Sequence, residues 1–509
     1  MQKTIFITLY LVLFLQTVAM WGQLPGQTPT SNTETRAVQV PLSGRTGQTG
    51  SVNATQTPVP GTTSSVNTLN TTVQAQGPFA GSASSTGRMP FSGKLSLREA
   101  VSRGVAFNLG AVGSAQAVRQ AHGQERVARG VLLPNVSAGL REVEQQTYLR
   151  AFGIQVPFIP AVVGPFNYFD LRATLTQNLM DVSAINNYRS AQELRHANEL
   201  SLQDARDLVT LAVGGAYLQT IAAQARVAAE RTQVETAQAL YKQTQERRQV
   251  GLSAQIEVNQ SLVQLQTQQQ RLVTLENDLA KQKINLARLT GLPPTDQYQL
   301  TDEVPYGDAP ALPLDEALKQ AFDSRADLQA AGRQLAAAER SRSAARAERY
   351  PSLAVNADYG AIGLRPTQAH GTFSVTGTLR IPIWAGGRTE GDIEQAQAAL
   401  DQRRAELEDT HSRIESEVRN ALFDLQAASR QVEVSRNNQQ VARETLQLTR
   451  QRFEAGVTDA VEVVQSEASV ASAELDYITS LFAHNLAKLS LARALGNTET
   501  RLPQFLKLQ

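Results

Sequence analysis

Apolar residues recur along this chain with two periods. Where the period is two, one face is apolar and the other polar, as in a half-buried strand. Leu353, Val355, Ala357 and Tyr359 alternate with Ser352, Ala354, Asn356 and Asp358. Phe373, Val375, Leu379, Ile381 and Ile383 alternate with Thr372, Ser374, Thr376, Thr378 and Arg380. Earlier, Phe169, Leu171, Ala173 and Leu175 alternate with Asp170, Arg172, Thr174 and Thr176, and Asn135 to Arg141 forms a weaker opening strand. Elsewhere the period is helical. Ser183 to Gln249 contains no proline and, at about 1.5 Å per residue, predicts a helix about 100 Å long. Its flanks, Leu97 to Leu132 and Ala254 to Thr290, predict helices of about 53 Å and 55 Å that match the long one end to end. Val258, Leu265, Leu272, Leu279 and Leu286 keep a seven-residue spacing, as do Val463, Val470, Tyr477, His484 and Leu491. Such heptads imply left-handed supercoiling against neighbouring helices.

The pattern occurs twice. Leu95-Ser-Leu-Arg-Glu-Ala100 returns as Leu312-Pro-Leu-Asp-Glu-Ala317, and Leu133-Pro-Asn-Val-Ser137 as Tyr350-Pro-Ser-Leu-Ala354, both 217 positions later. Val250-Gly-Leu-Ser-Ala-Gln-Ile-Glu-Val258 returns as Ala455-Gly-Val-Thr-Asp-Ala-Val-Glu-Val463, and Leu289-Thr-Gly291 as Ala494-Leu-Gly496, 205 positions later. The offset shrinks by 12, so the first copy carries an insertion, placed between Glu144 and Asn167 and expected to be loop. Each copy reads helix, strand, loop, strand, very long helix, turn, helix. The expected organisation is a signal peptide at 1–22, a disordered Ser/Thr/Gly/Pro-rich tether at 23–90, a first repeat at 91–291, a linker at 292–313, a second repeat at 314–496 and a tail at 497–509.

The signal-peptide reading rests on Lys3 followed by the apolar Ile5 to Val18, too short for a comfortable span. The tether reading rests on composition, because so few apolar residues cannot offset ordering entropy. Over the whole chain, 509 residues are 41% hydrophobic and 19% charged with a net charge of +1, enough for a large core and too balanced for a phosphate-neutralising surface. Beyond the N-terminus, helical spans of about 18 or more apolar residues are not expected. The absence of cysteine excludes disulfides, thiolate metal sites and a lipidated cysteine.

Amphipathic strands of about 11 residues fit either a soluble sheet or tilted outer-membrane barrel strands, and alternation does not decide between them. Four strands cannot close a barrel and open edges are not tolerated in lipid, so a membrane reading needs several chains: two give eight strands, three give twelve.

With long helices and barrel-like strands in this order twice over, the sequence resembles the TolC-type outer-membrane efflux protein family from Ser92 to Gly496. The resemblance includes Leu-Ser-Leu-Arg-Glu-Ala, Leu-Leu-Pro-Asn-Val-Ser, Val-Gly-Leu-Ser and Leu-Ala-Arg-Ala-Leu-Gly (Leu491 to Gly496). It implies a mainly α fold with a membrane β-barrel: a homotrimer with a twelve-stranded barrel, four strands per chain, on a hollow helical barrel crossing the periplasm. It also implies a passive exit duct embedded in outer-membrane lipid and docked to a periplasmic adaptor. An inner-membrane efflux pump or ABC exporter would energise it, serving efflux or type I secretion.

By the same resemblance the periplasmic tip comprises two turns, Val250, Gly251, Leu252 and Ser253, and Ala455, Gly456, Val457 and Thr458. These are the expected adaptor-docking residues. Gly251 and Gly456 suit the positive φ of a tight turn. Glu257 and Glu462 follow at the family's gate positions, where three copies of each would favour cations in a narrow pore. Near a helix N-terminus, such acids also favour the macrodipole. The family's second acid is replaced here by Gln465, and Val457 and Thr458 stand where an arginine often follows the second-copy turn glycine; the first departure puts a strong divalent-cation block in doubt.

No other chemistry is expected. His122, His196, His370, His411 and His484 form no ligand pair, and no phosphate loop or nucleophile elbow occurs. Trp384-Ala-Gly-Gly-Arg388 reads as a strand-to-helix transition, and Arg333, Arg340, Arg342, Arg346 and Arg349 as a solvated helix face rather than a nucleic-acid site. No catalytic residue, metal or cofactor is expected. The rival readings are a secreted structural coiled-coil protein with a soluble β cap, and an extracytoplasmic enzyme.

Overall fold

The computed structural model describes residues 51–59, 68–84, 91–154, 158–251, 253–294, 298–302, 306–307 and 312–506. Residues 1–50, which include the expected signal peptide, and Leu252 lie outside these. The long helix of the first repeat, α3 (Val182–Gln249), is opened by Asp181, whose carboxylate accepts the Ala184 N–H at 2.9 Å, and closes on Arg247 and Arg248 near its negative dipole end. Its counterpart α7 (Arg388–Glu454) follows Gly386 and Gly387, both at positive φ, in the expected strand-to-helix transition.

Shorter helices lie end to end along these two. They are α1 (Leu97–Phe107), α2 (Leu109–Gly130) and α4 (Gln255–Thr290) in the first repeat, and α5 (Leu314–Ser324), α6 (Ala326–Ala347) and α8 (Ala460–Leu495) in the second. Helix α3 packs on α2, α4, α6 and α8, and α7 on α6 and α8. One 18-residue window of α3 is long and apolar enough to cross a membrane, contrary to expectation, but 72% of it is buried inside the molecule, so it belongs to the core. In that core Leu211, Val213 and Tyr217 meet Leu97, Leu286 and Leu489. The heptad positions Val258, Leu265, Leu286, Val463, Val470, His484 and Leu491 are buried.

The helix expected from Leu97 to Leu132 is broken at Asn108, and its counterpart at Arg325, again 217 positions later. Both residues are extended (ψ 133° and 123°), which stops a helix. Asn108 donates to the Phe79 carbonyl at 2.8 Å and accepts the Gly110 N–H at 2.9 Å, capping α2. Arg325 is buried and bonds Asp327 at 2.7 and 3.0 Å and Glu417 at 2.5 Å. Burial acts to raise the Asp327 carboxyl, but the hydrogen bonds and charge of Arg325 outweigh it and hold it well below the usual carboxylate range.

The expected disorder of the tether requires correction. Within the expected disordered tether, β1 (Val52–Val59) pairs antiparallel with β2 (Thr68–Ala75), and Phe79 is fully buried. Here glycines make the room that composition alone could not reveal. A Cβ on Gly215 would stand 2.3 Å from Val73, and one on Gly110 2.3 Å from the Phe79 ring. Within the linker, β6 (Gln299–Leu300) pairs parallel with β3 (Lys94–Leu95), and Leu292 and Tyr298 are buried. The tail contains helix α9 (Thr498–Leu506), seated on α3 and α8 by Leu502, Phe505 and Leu506.

The remaining strands form one antiparallel sheet in the order β4 (Asn135–Tyr148), β5 (Val162–Met180), β7 (Ser352–Gly363), β8 (His370–Arg380). The insertion of the first repeat, expected to be loop, instead lengthens the β4–β5 hairpin. One sheet face is apolar and bare: Val136, Leu140, Leu171, Tyr359, Phe373 and Val375 are 50 to 77% exposed. On the other face Arg172 joins three strands, bonding Asp170 on β5 at 3.2 Å, Asp358 on β7 and Thr372 on β8 at 3.1 Å. Gly360 lies directly beside Arg172, where a Cβ would meet its Cα at 2.9 Å.

Two outcomes follow from this packing. Gly215→Ala forces Val73 outward at a cost of about 1–3 kcal/mol; limited proteolysis should then cut within residues 51–84 well before the wild-type protein is cut. Near the far end of the helices, Arg450 bonds Glu467 at 3.0 Å, and Glu467 is 2% exposed. Burial pushes the Glu467 carboxyl up, with Arg450 opposing. Arg450→Ala leaves the ionised carboxylate without this partner and should destabilise by about 1–3 kcal/mol at neutral pH. Because a raised carboxyl favours the folded state when protonated, that loss should shrink as the pH falls through the raised value; thermal unfolding against pH measures it.

Candidate functional site

The two connections at the far end of the helices are built alike. In the second, the Gly456 N–H donates to the Phe453 carbonyl at 3.0 Å and the Val457 N–H to the Arg452 carbonyl at 2.9 Å, with Gly456 at φ 73°. This is the two-bond Schellman closure, in which a left-handed residue lets the last carbonyls of a helix be satisfied. In the first, Gly251 at φ 78° donates to the Arg248 carbonyl at 2.9 Å. A side chain at either glycine meets open space but a strained backbone. Val250 and Val457, 69% and 68% exposed, present apolar groups outward from the two turns. Ser253 and Thr458 are half-buried, while Ala455 is exposed.

The helices leaving the turns differ in their caps. Ala254, before α4, makes no side-chain cap, whereas Asp459, before α8, accepts the Glu462 N–H at 3.2 Å. The Glu462 carboxylate also accepts from Thr458 and pairs with Arg452 at 3.3 Å. Both members of that pair are well exposed, so it adds only about 0–1 kcal/mol. Glu257 lies half-buried in the first turn of α4, and Gln465 is exposed one turn beyond Glu462.

One residue unremarked in the sequence binds the two turns to each other. Arg247, in the last turn of α3, donates to the Phe453 carbonyl at 2.8 Å and lies 4.4 Å over the centre of its ring. Phe453 in turn packs with Leu240, Ala460 and Val463. The sequence signal was available: 205 positions beyond Arg247 stands Arg452, which pairs with Glu462, so the duplicated arginines hold the turns in two different ways.

Elsewhere, the basic run spreads over neighbouring helices: Arg333 meets Glu193 at 3.1 Å and Arg349 meets Glu390 at 3.2 Å. His484 is buried beside Tyr306, and His411 stacks on Phe322 at 3.9 Å. Among the described residues no group of three His, Asp or Glu could hold a metal ion.

Comparison with known proteins agrees with this architecture. The family pattern described as outer membrane efflux protein matches twice, at residues 112–292 and 317–497. A curated relative, the pyoverdine export outer membrane protein OpmQ of Pseudomonas putida, is 25% identical over 390 residues, 75% of this chain and 82% of its own. Among solved structures, the CmeC outer membrane channel of Campylobacter jejuni superposes with a TM-score of 0.70 at 16% identity, covering 81% of this chain and 89% of its own. The outer membrane protein VceC of Vibrio cholerae does so with a TM-score of 0.68 at 19% identity, covering 79% and 96%. With both halves of the chain matched and the channel fold shared, the chain belongs to the outer membrane efflux protein family and serves as an exit duct of the outer membrane.

Proposed function

We propose that three copies of this chain close one twelve-stranded barrel in the outer membrane, with their long helices forming a hollow cylinder through the periplasm. The observation that carries this reading is the four-stranded sheet, bare on its apolar face and unpaired, among the described residues, along the outer edges of β4 and β8. Lipid covers the apolar face, and edge-to-edge pairing between copies satisfies the backbone. Arg172, Asp170, Asp358 and Thr372 then line the lumen. The duct is passive. Cargo is delivered by a periplasmic adaptor and an inner-membrane pump or ABC exporter, and residues 1–22 direct secretion.

In this reading the two turns face the adaptor. Val250 and Val457 offer exposed apolar contacts, and the Arg247 staple fixes the spacing between the turns. Glu257 and Glu462 from three copies place six carboxylates near the narrow end, favouring cations there; with Gln465 in place of a further acid, the site holds divalent ions weakly.

In isolated membranes the protein should resist carbonate extraction, and once purified it should conduct in planar bilayers; a soluble, non-conducting protein would contradict the proposal. Gly251→Glu and Ser253→Trp should lower drug export at least several-fold in cells while the assembled trimer persists, and normal export would count against adaptor docking. Glu462→Gln keeps the side-chain shape but removes the charge; it should lower the cation-to-anion permeability ratio measurably, and unchanged recordings would remove Glu462 from the gate.

A further inference from the structure

The lengthened β4–β5 hairpin reverses the polarity of the sheet. Along the lower strands the apolar face carries even positions of β4 and odd positions of β5: Val136 pairs with Leu175, and Leu140 with Leu171. The opposite face carries Ser137, Arg172 and Thr174. β5 loses its second neighbour above Phe169, where it last pairs with Gly363 of β7. From there β4 runs on through six further residues to Tyr148, about 20 Å at about 3.3 Å per residue.

Above Phe169, which pairs with Glu142, the face that continues the lipid side becomes polar where exposed Glu144 pairs with exposed Asn167. The face that continues the lumen side becomes apolar, with Val143 paired to Tyr168 and Phe166 beside Gln145. Val143, Phe166 and Tyr168 are half-buried, while Glu144 and Asn167 are exposed. A hairpin surrounded only by water has no physical reason to turn its apolar side chains toward a water-filled mouth. That orientation makes sense where the mouth holds an apolar partner.

We infer that Val143, Phe166 and Tyr168 of three copies meet across the barrel axis and form an apolar constriction at the outer mouth of the duct. The inference rests on the three-chain barrel proposed above. The occupant is a second copy of the same hairpin because β4 is the edge strand of the sheet, so the hairpin rises at the seam between neighbouring copies. The lengthening also occurs in one repeat only, so the assembly carries three such hairpins, a set that closes under threefold symmetry. An apolar ring in a narrow pore resists ions by dewetting. The outer mouth would thus hold a barrier separate from the carboxylates at the periplasmic tip.

The chain contains no cysteine, so a single introduced thiol reports alone. Full-length Tyr168→Cys, on the apolar face, and Asn167→Cys, on the polar face, are treated in isolated outer membranes with a short bis-maleimide, and subunit number is read by native mass spectrometry. Cross-linked dimers are expected for Tyr168→Cys and not for Asn167→Cys. In bilayers, replacing Val143, Phe166 and Tyr168 together with serine should raise single-channel conductance at least twofold. Trimers in which Tyr168→Cys links no better than Asn167→Cys, or in which the serine variant conducts like wild type, would overturn the constriction and leave the barrel standing. Failure to find trimers would overturn both.

Discussion

Hydrocarbon offers no partner to a backbone N–H or C=O, and this constraint shapes the whole molecule. A sheet of four strands satisfies its inner ladders and leaves β4 and β8 each with an open edge. The exposed Val136, Leu140, Phe373 and Val375 show that the sheet cannot rest in water comfortably, and the edges show that it cannot enter lipid alone. In the proposed barrel, association resolves both demands at once. The remainder of each chain then arranges itself around a common axis, which the long α3 and α7 with their stacked partners can do.

The two halves of the chain share an order of elements and differ locally. Helix breaks at Asn108 and Arg325 fall at equivalent positions, yet one is held by an amide binding the Phe79 carbonyl and the other by a guanidinium between two acids. The turns share a positive-φ glycine whose N–H bonds the carbonyl three residues back, yet Asp459 caps one following helix and Ala254 does not cap the other. Among the described residues the N-terminal hairpin has no counterpart in the second repeat. It is seated where Gly215 and Gly110 leave space for Val73 and Phe79, which ties the segment ahead of the first repeat to the helices that follow.

What the sequence made legible was whatever repeats: the two periods, the offsets of 217 and 205, the long helix of the first repeat to within a residue, and the positive-φ turn glycines. What escaped it depends on single contacts between distant segments. The composition of residues 23–90 argues for disorder, and nothing local announces that Val52, Val73 and Phe79 find a prepared surface. Likewise the insertion reads as loop because loops absorb insertions most easily, whereas pairing of Thr147 with Val163 and Tyr148 with Val162 extends the hairpin into it. Glu462 was legible as an acid near the tip, but its bonds with Thr458 and Arg452, and the reach of Arg247 to Phe453, required the folded chain.

The number of copies that close the barrel is the claim on which the rest turns, and the seam between copies tests it most directly. In the cysteine-free chain, paired cysteines are scanned along the outward faces of β4, between Val136 and Leu140, and of β8, between Phe373 and Leu379. Oxidation of the assembled protein in its membrane should give a covalent ladder ending in a closed species of three chains. A ladder ending at two chains, or linking no chains at any register, would contradict the twelve-stranded barrel.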